Sequence, residues 1–152
     1  MAKDIKNVFI SHYGQDEENI GKLKELLAKK GYELRNSSID STKVNDAKNE
    51  DYIKNKLLKP GIEWAGTTIV LIGPETHTRW WVDWEIEQSN KAENRIVGVH
   101  IEGETDSEVP DALAKYGDAL VGWQADRITD AIEGKINNME NPDGSPWKNP
   151  YK

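Results

Sequence analysis

The sequence contains no cysteine, a single phenylalanine and no apolar run near the roughly 20 residues of a membrane-spanning helix. The absence of cysteine excludes disulfides, thiolate metal sites and a cysteine nucleophile. The three histidines, His12, His77 and His100, are too scattered to indicate a metal site. The first residues also lack the apolar stretch of a signal peptide. We therefore expect a cytoplasmic protein with no metal ion and no membrane partner.

Two common nucleotide-binding motifs are missing as well. No G-x-G-x-x-G follows the first predicted strand and no Walker loop occurs, so neither a classical dinucleotide-binding dehydrogenase nor a P-loop enzyme is supported. The net charge is −7, from 20 basic and 27 acidic residues. Such a surface repels phosphate backbones unless basic residues cluster, and the lysines of the first predicted helix are interspersed with glutamates. We expect no nucleic-acid partner.

Short apolar strands alternate with amphipathic helices along the 152 residues, which is one domain's length. Such alternation predicts an α/β fold with a flavodoxin-like, doubly wound parallel sheet of five strands in the order 2-1-3-4-5. We assign residues 1–137 to this domain and 138–152 to an irregular tail that is either loose or packed as a strap through Trp147. The second helix should stop at Pro60-Gly61, the third should cover 79–91, and a loop should join the last two strands. The predicted strands are 7–11, 32–35, 67–72, 95–101 and 119–122.

Three polar segments follow predicted strands: residues 11–16, 36–48 and 73–81. In doubly wound sheets the ligand lies beyond the carboxyl ends of the strands. We therefore expect these segments to border one crevice.

The segment around Trp81 and Glu85 is the most unusual in the sequence, with three tryptophans in five residues at the start of a predicted helix. Trp81 and Glu85 are at i and i+4 and hence neighbours on one helix face. Trp81 can shield the carboxylate from water, which raises a carboxyl pKa. A carboxylate in a crevice is what cleavage of a glycosidic bond requires. The other interpretation is that the tryptophans belong to the core and Glu85 to the surface, and spacing alone favours it.

Three stretches together resemble the TIR and TIR-like domains: VFISHY at 8–13, TIVLIG at 68–73 and RWWVDWEI at 79–86. The likeness covers about residues 5–137 and is closest to small bacterial stand-alone TIR proteins such as those of Thoeris anti-phage defence. In TIR enzymes the glutamate of a W-x-x-x-E pattern is catalytic, and Trp81-x-x-x-Glu85 matches it.

The resemblance implies a set of site residues in which Glu85 is catalytic. The resemblance also places Phe9 at the strand end that faces the nucleotide, but a strand aromatic is more often a core residue, and we expect Phe9 in the core. Asp40 and Asp46 either contact a ribose or are solvated loop residues. Arg79 either meets a diphosphate or pairs with Glu75. The implied substrate-binding residues are Ser11, His12, Tyr13, Asp40, Asp46, Arg79 and Trp81.

The implied reaction is cleavage of the nicotinamide–ribose bond of NAD, with NAD as substrate and no cofactor. Water as acceptor gives ADP-ribose, and a group of the same molecule gives a cyclic isomer. The resemblance further implies self-association on activation and a nucleotide signal that reaches a separate effector protein in anti-phage defence. Two alternatives stay open: a non-catalytic TIR scaffold, and a nucleoside deoxyribosyltransferase-like enzyme.

Overall fold

Five strands and five helices alternate in the computed structural model, which describes residues 4–12, 18–37, 59–73, 80–101 and 109–149. Each strand but the first is preceded by a helix that returns the chain to the same edge of the sheet, as a parallel sheet requires. In chain order the described elements are β1 (Asp4–Ser11), α1 (Glu18–Ala28), β2 (Tyr32–Ser37), α2 (Lys59–Trp64), β3 (Thr67–Ile72), α3 (Trp80–Lys91), β4 (Arg95–His100), α4 (Asp111–Tyr116), β5 (Ala119–Val121) and α5 (Ala125–Ile132).

The five strands form one parallel sheet in the order β2-β1-β3-β4-β5, the same order that the alternation of strands and helices predicts. The register places Ser11, the last residue of β1, beside Val70 of β3. Because all strands run in one direction, their carboxyl ends share one edge of the sheet. Ser11 and His100 both lie at that edge.

Helices cover both faces of the sheet. One face carries an apolar cluster that includes Leu23 and Leu27 of α1, Ile69 and Leu71 of β3, and Ile128 of α5. The other face is packed by α3 and α4, and its apolar cluster contains Val70, Ile72, Val82, Ile86, Ile96, Ala112, Leu113 and Leu120. Residues that alternate along β3 therefore belong to opposite layers. The fold is the predicted α/β class.

The prediction that a helix stops at Pro60-Gly61 is wrong, because both residues lie inside α2. Proline lacks a backbone N–H, so Pro60 lies in α2 without donating an intrahelical hydrogen bond of its own. Gly61 contributes its carbonyl to the helix end, where it accepts a hydrogen bond from the N–H of Ala65 at 3.2 Å. The predicted helical segment before Lys59 lies outside the described residues.

The predicted loop between the last two strands contains a helix, α4, at residues 111–116. Six residues are too few for a helical period to be recognised, yet Ala112, Leu113 and Ala114 are all buried. The N–H of Ala112 donates to the Asp83 carboxylate of α3 at 3.3 Å, so the neighbouring helix supplies the acceptor that a side-chain cap would provide.

The described residues after α5, up to residue 149, pack as a strap against the domain. The N–H of Leu120 in β5 donates to the Asn138 carbonyl, and the N–H of Glu140 donates to the Leu120 carbonyl. Trp147 packs against the apolar cluster under α3 and α4. Of the helices that the structure describes, none has the length and apolar character needed to cross a membrane.

Candidate active site

Helix α3 turns a glutamate toward the core. Among its described side chains, the buried ones are Val82, Glu85, Ile86 and Ser89, which fall at i, i+3, i+4 and i+7 and so form one stripe against the sheet. In an ordinary amphipathic helix such a stripe is apolar throughout. The Glu85 side chain is only 3% exposed. The alternative that Glu85 is a surface residue is therefore wrong.

Ser11 is the group that meets this carboxylate. It ends β1 at the carboxyl edge of the sheet, and its side chain is 1% exposed. Its Oγ donates a hydrogen bond of 2.9 Å to Oε1 of Glu85. Side chains alternate along a strand, so Ser11 faces α3 while its neighbour Ile10 packs in the opposite layer. Residues 74 positions apart are thus brought together by the crossover from β1 to β3 and α3.

Burial governs the electrostatics of the pair. Removal from water disfavours the charged form and raises the pKa of the Glu85 carboxyl well above its usual value. The hydrogen bond from Ser11 favours the carboxylate and opposes this rise in pKa, but it is the smaller effect. The site therefore holds a carboxyl group that binds a proton more tightly than a solvated glutamate does.

Other predicted site residues lie in part within the described structure. His12 follows Ser11 at the same edge and is buried, with Nδ1 at 3.4 Å from the Ile10 carbonyl. The backbone of Trp81 lies in α3 one turn before Glu85, but its side chain is outside the described residues, as are Tyr13, Asp40, Asp46 and Arg79. Phe9 is fully buried, which confirms the expectation that it is a core residue.

Two buried hydroxyl groups next to Glu85 were not predicted from the sequence. Ser89 Oγ donates to the backbone carbonyl of Glu85 at 2.8 Å, and Thr68 Oγ1 of β3 lies 2.6 Å from Ser89 Oγ. Both side chains are fully buried. A signal for Ser89 is present in the sequence: it falls on the same stripe as Val82 and Ile86, where a serine is unexpected.

The chemistry available to these side chains is that of a carboxyl group and a hydroxyl. Within the five described ranges, no three His, Cys, Asp or Glu side chains come close enough to hold a metal. A buried carboxylate with one hydroxyl donor can stabilise positive charge or accept hydrogen bonds from a sugar.

Comparisons with known proteins show the family and the fold of the chain. The chain matches the family model described as "Thoeris protein ThsB, TIR-like domain" over residues 9–106, a span that contains both Ser11 and Glu85. A protein of Bacillus cereus (strain MSX-D12) named "Putative cyclic ADP-D-ribose synthase ThsB1" is 31% identical over 99 residues, which are 63% of this chain and 52% of that protein. The chain thus spans about half the length of this curated relative.

Among solved structures, a conserved protein from Enterococcus faecalis V583 shares the fold, with a TM-score of 0.53, 11% identity, and coverage of 87% of this chain and 99% of that one. The TIR domains of the activated Roq1 resistosome, which recognises the pathogen effector XopQ, give a TM-score of 0.45 and 19% identity, over 74% of this chain and 64% of that one. The family match covers more than half of the chain. The chain therefore belongs to the family of the TIR-like domain of the Thoeris protein ThsB.

Proposed function

We propose that this protein cleaves the nicotinamide–ribose bond of NAD and that Glu85 is its catalytic residue. The observation that carries the proposal is the Glu85 carboxylate, which is buried on the core stripe of α3 and meets Ser11. Burying a carboxylate is unfavourable, and no cation accompanies this one in the interactions described for it. Groups with strongly perturbed pKa values cluster at functional sites. Glu85 is therefore better explained by chemistry than by packing.

The proposed reaction begins when the bond between the nicotinamide nitrogen and the anomeric carbon of the ribose breaks. The electron pair leaves with nicotinamide, which becomes neutral, and positive charge develops on the sugar. The Glu85 carboxylate stabilises that positive charge or accepts hydrogen bonds from the ribose hydroxyls. If the acceptor is water, its oxygen adds to the anomeric carbon and releases one proton, which gives ADP-ribose. A nucleophile of the same molecule gives a cyclic isomer instead.

The biological role that we propose is production of a nucleotide signal in bacterial anti-phage defence, in the cytoplasm. Membership of the ThsB family supports this, as does the relative whose name refers to cyclic ADP-D-ribose synthesis. The signal would be ADP-ribose-derived and would act on a separate effector protein. Self-association would accompany activation. NAD is the substrate in this proposal, and the reaction needs no further cofactor.

The test is release of nicotinamide from NAD, followed by chromatography, with wild-type protein over a range of protein concentrations that favours assembly. Glu85→Gln keeps the volume of the side chain and removes its charge, so we expect turnover to fall by about 10²–10³. Glu140→Gln is the matched control, because Glu140 is also buried but is ion-paired with Arg127 and belongs to the strap. It should turn over NAD as the wild type does.

Two other results would replace the proposal. A wild-type protein that releases no nicotinamide at any concentration would favour a scaffold without catalysis. Exchange of the base of a deoxynucleoside, assayed in parallel and found without NAD cleavage, would favour a deoxyribosyltransferase-like enzyme. Equal turnover by the wild type and Glu85→Gln would remove Glu85 from the mechanism.

A further inference from the structure

A line of buried polar groups runs from β3 to the helix turn that carries Glu85. Ser89 Oγ donates its hydrogen to the Glu85 carbonyl at 2.8 Å. A hydroxyl has one hydrogen to donate, so in the 2.6 Å contact between Ser89 and Thr68 the donor must be Thr68. Nδ2 of Asn94 lies 3.5 Å from Thr68 Oγ1 and 2.9 Å from the Ile62 carbonyl of α2. The direction of donation is thus Asn94 to Thr68 to Ser89 to the backbone of Glu85.

This line of hydrogen bonds joins α3 to β3 and can therefore affect where α3 places Glu85. The other described side chains between α3 and β3 include apolar ones such as Val70 and Ile86. Apolar contacts are not directional, so they constrain a helix little along and about its own axis. Hydrogen bonds are directional, and a buried hydroxyl that loses its partner is costly. The Thr68–Ser89 contact therefore adds a directional constraint on the height and rotation of the helix.

We propose that Thr68 and Ser89 are positioning residues that hold α3 so that the Glu85 carboxylate meets Ser11. This inference rests on the proposed function only for its effect on turnover. The 2.9 Å contact of Ser11 with Glu85 requires the turn of α3 around residue 85 to lie at a definite place above the end of β1. Ser89 bonds the same residue through its main chain, one turn further along the helix. The same segment of α3 is thus held at both ends, by β1 through Ser11 and by β3 through Thr68.

Three substitutions that change the side chain by little provide the backgrounds for the first readout. Thr68→Val is nearly isosteric and removes the hydroxyl, whereas Thr68→Ser keeps the hydroxyl and removes a methyl group. The matched control is Thr129→Val on α5, because Thr129 is 7% exposed and its hydroxyl bonds only within its own helix, to the Asp126 carbonyl at 3.1 Å. All three variants lose some packing or hydrogen bonding, so unfolding in denaturant is measured for each.

The first readout does not depend on activity. Carbon-13 NMR of labelled glutamate side chains follows the Glu85 carboxyl titration, with its signal assigned from the loss of that signal in Glu85→Gln. In the wild-type background, Ser11→Ala should move the titration midpoint to higher pH, because the hydrogen bond that favours the carboxylate is lost. In the Thr68→Val background we expect that displacement to shrink by half or more. It should persist in the Thr68→Ser and Thr129→Val backgrounds.

The second readout is kcat for nicotinamide release, measured together with KM. A misplacement of about 1 Å can lower a rate by about 10², so we expect Thr68→Val and Ser89→Ala to lower kcat by about tenfold or more with a smaller change in KM. Thr68→Ser should recover most of the rate. A Ser11–Glu85 coupling in Thr68→Val as strong as in Thr129→Val would overturn the proposal, as would a failure of Thr68→Ser to recover it. If the wild type cleaves no NAD, the proposed function fails, and the NMR coupling alone still decides the positioning role.

Discussion

The two faces of the sheet are packed with different chemistry. The layer under α1 and α5 is built mainly from aliphatic side chains such as Leu27 and Leu71, and its described buried polar residues, Asn19 and Thr129, lie on the helices. The layer under α3 and α4 has an apolar cluster of its own but also buries polar groups that lie on the strands. On the strands, the described buried polar residues are Ser11, Thr68 and His100, and alternation places all three on the α3 side of the sheet.

We infer from this difference that the first layer stabilises the fold and that the second layer carries the candidate active site. An apolar layer gains free energy from every side chain that it buries, at about 25 cal/mol per Å² of apolar surface. Burial of a polar side chain costs free energy unless that side chain forms hydrogen bonds in the folded protein. Glu85 is the extreme case, because its carboxyl pKa is raised by burial. We therefore expect substitutions in the first layer to change stability alone and substitutions along the polar line to change the site.

The largest change in stability should come from the first layer. Leu71 is fully buried among the aliphatic residues of that layer, and Leu71→Ala should lower the free energy of unfolding by about 2–5 kcal/mol. Denaturant unfolding measures this loss. Nicotinamide release per folded molecule should remain close to that of the wild type. A fall in turnover as large as that of Glu85→Gln would mean that the two layers are not separate in function.

A smaller loss is expected at Gly98, where the α4 side of the second layer is closely packed. A Cβ at this position would lie 2.6 Å from Leu113 Cδ2 and 2.8 Å from Leu120 Cδ1. Gly98→Ala should therefore cost about 1–3 kcal/mol of unfolding free energy through overpacking. The control is Gly21→Ala in α1, where nothing lies within 4 Å of the added atom. It should raise stability by about 0.5–1 kcal/mol because alanine favours the helix. Equal effects of the two substitutions would contradict this packing.

The smallest expected effect is that of Ser11→Ala on the pH dependence of turnover. Loss of the hydrogen bond to Glu85 raises the pKa of its carboxyl, so the acid limb of the kcat/KM profile should move to higher pH. A single hydrogen bond is worth about 1 kcal/mol, so we expect about a fivefold loss of rate on the acid side of the limb. An unchanged limb would show that Ser11 does not interact with the ionising group.

The sequence predicted most of the fold because β-branched runs such as TTIVLI and helical spacing are signals that each segment carries by itself. It also indicated Glu85, since the W-x-x-x-E resemblance outweighed the ordinary interpretation of a helix glutamate. It did not predict α4, whose six residues are stabilised by burial and by the Asp83 acceptor of another helix. Nor did it predict the Thr68–Ser89 contact, because a serine and a threonine 21 positions apart meet only after α3 packs on β3. Both misses depend on tertiary contacts that no local pattern encodes.

The central claim is that Glu85 lowers the stability of the protein but is required for NAD cleavage. The most direct test is to measure the stability and the turnover of Glu85→Gln on the same samples. The pKa of Glu85 is higher in the folded than in the unfolded protein, so the folded state binds more protons and loses stability as the pH rises through that range. Glutamine does not titrate. Glu85→Gln should therefore match the wild type below about pH 4 and gain on it by up to about 1.4 kcal/mol per pH unit above that. At neutral pH we predict a variant that is more stable than the wild type and nearly inactive in nicotinamide release. A variant that is less stable at neutral pH, or that cleaves NAD at the wild-type rate, would contradict this role for Glu85.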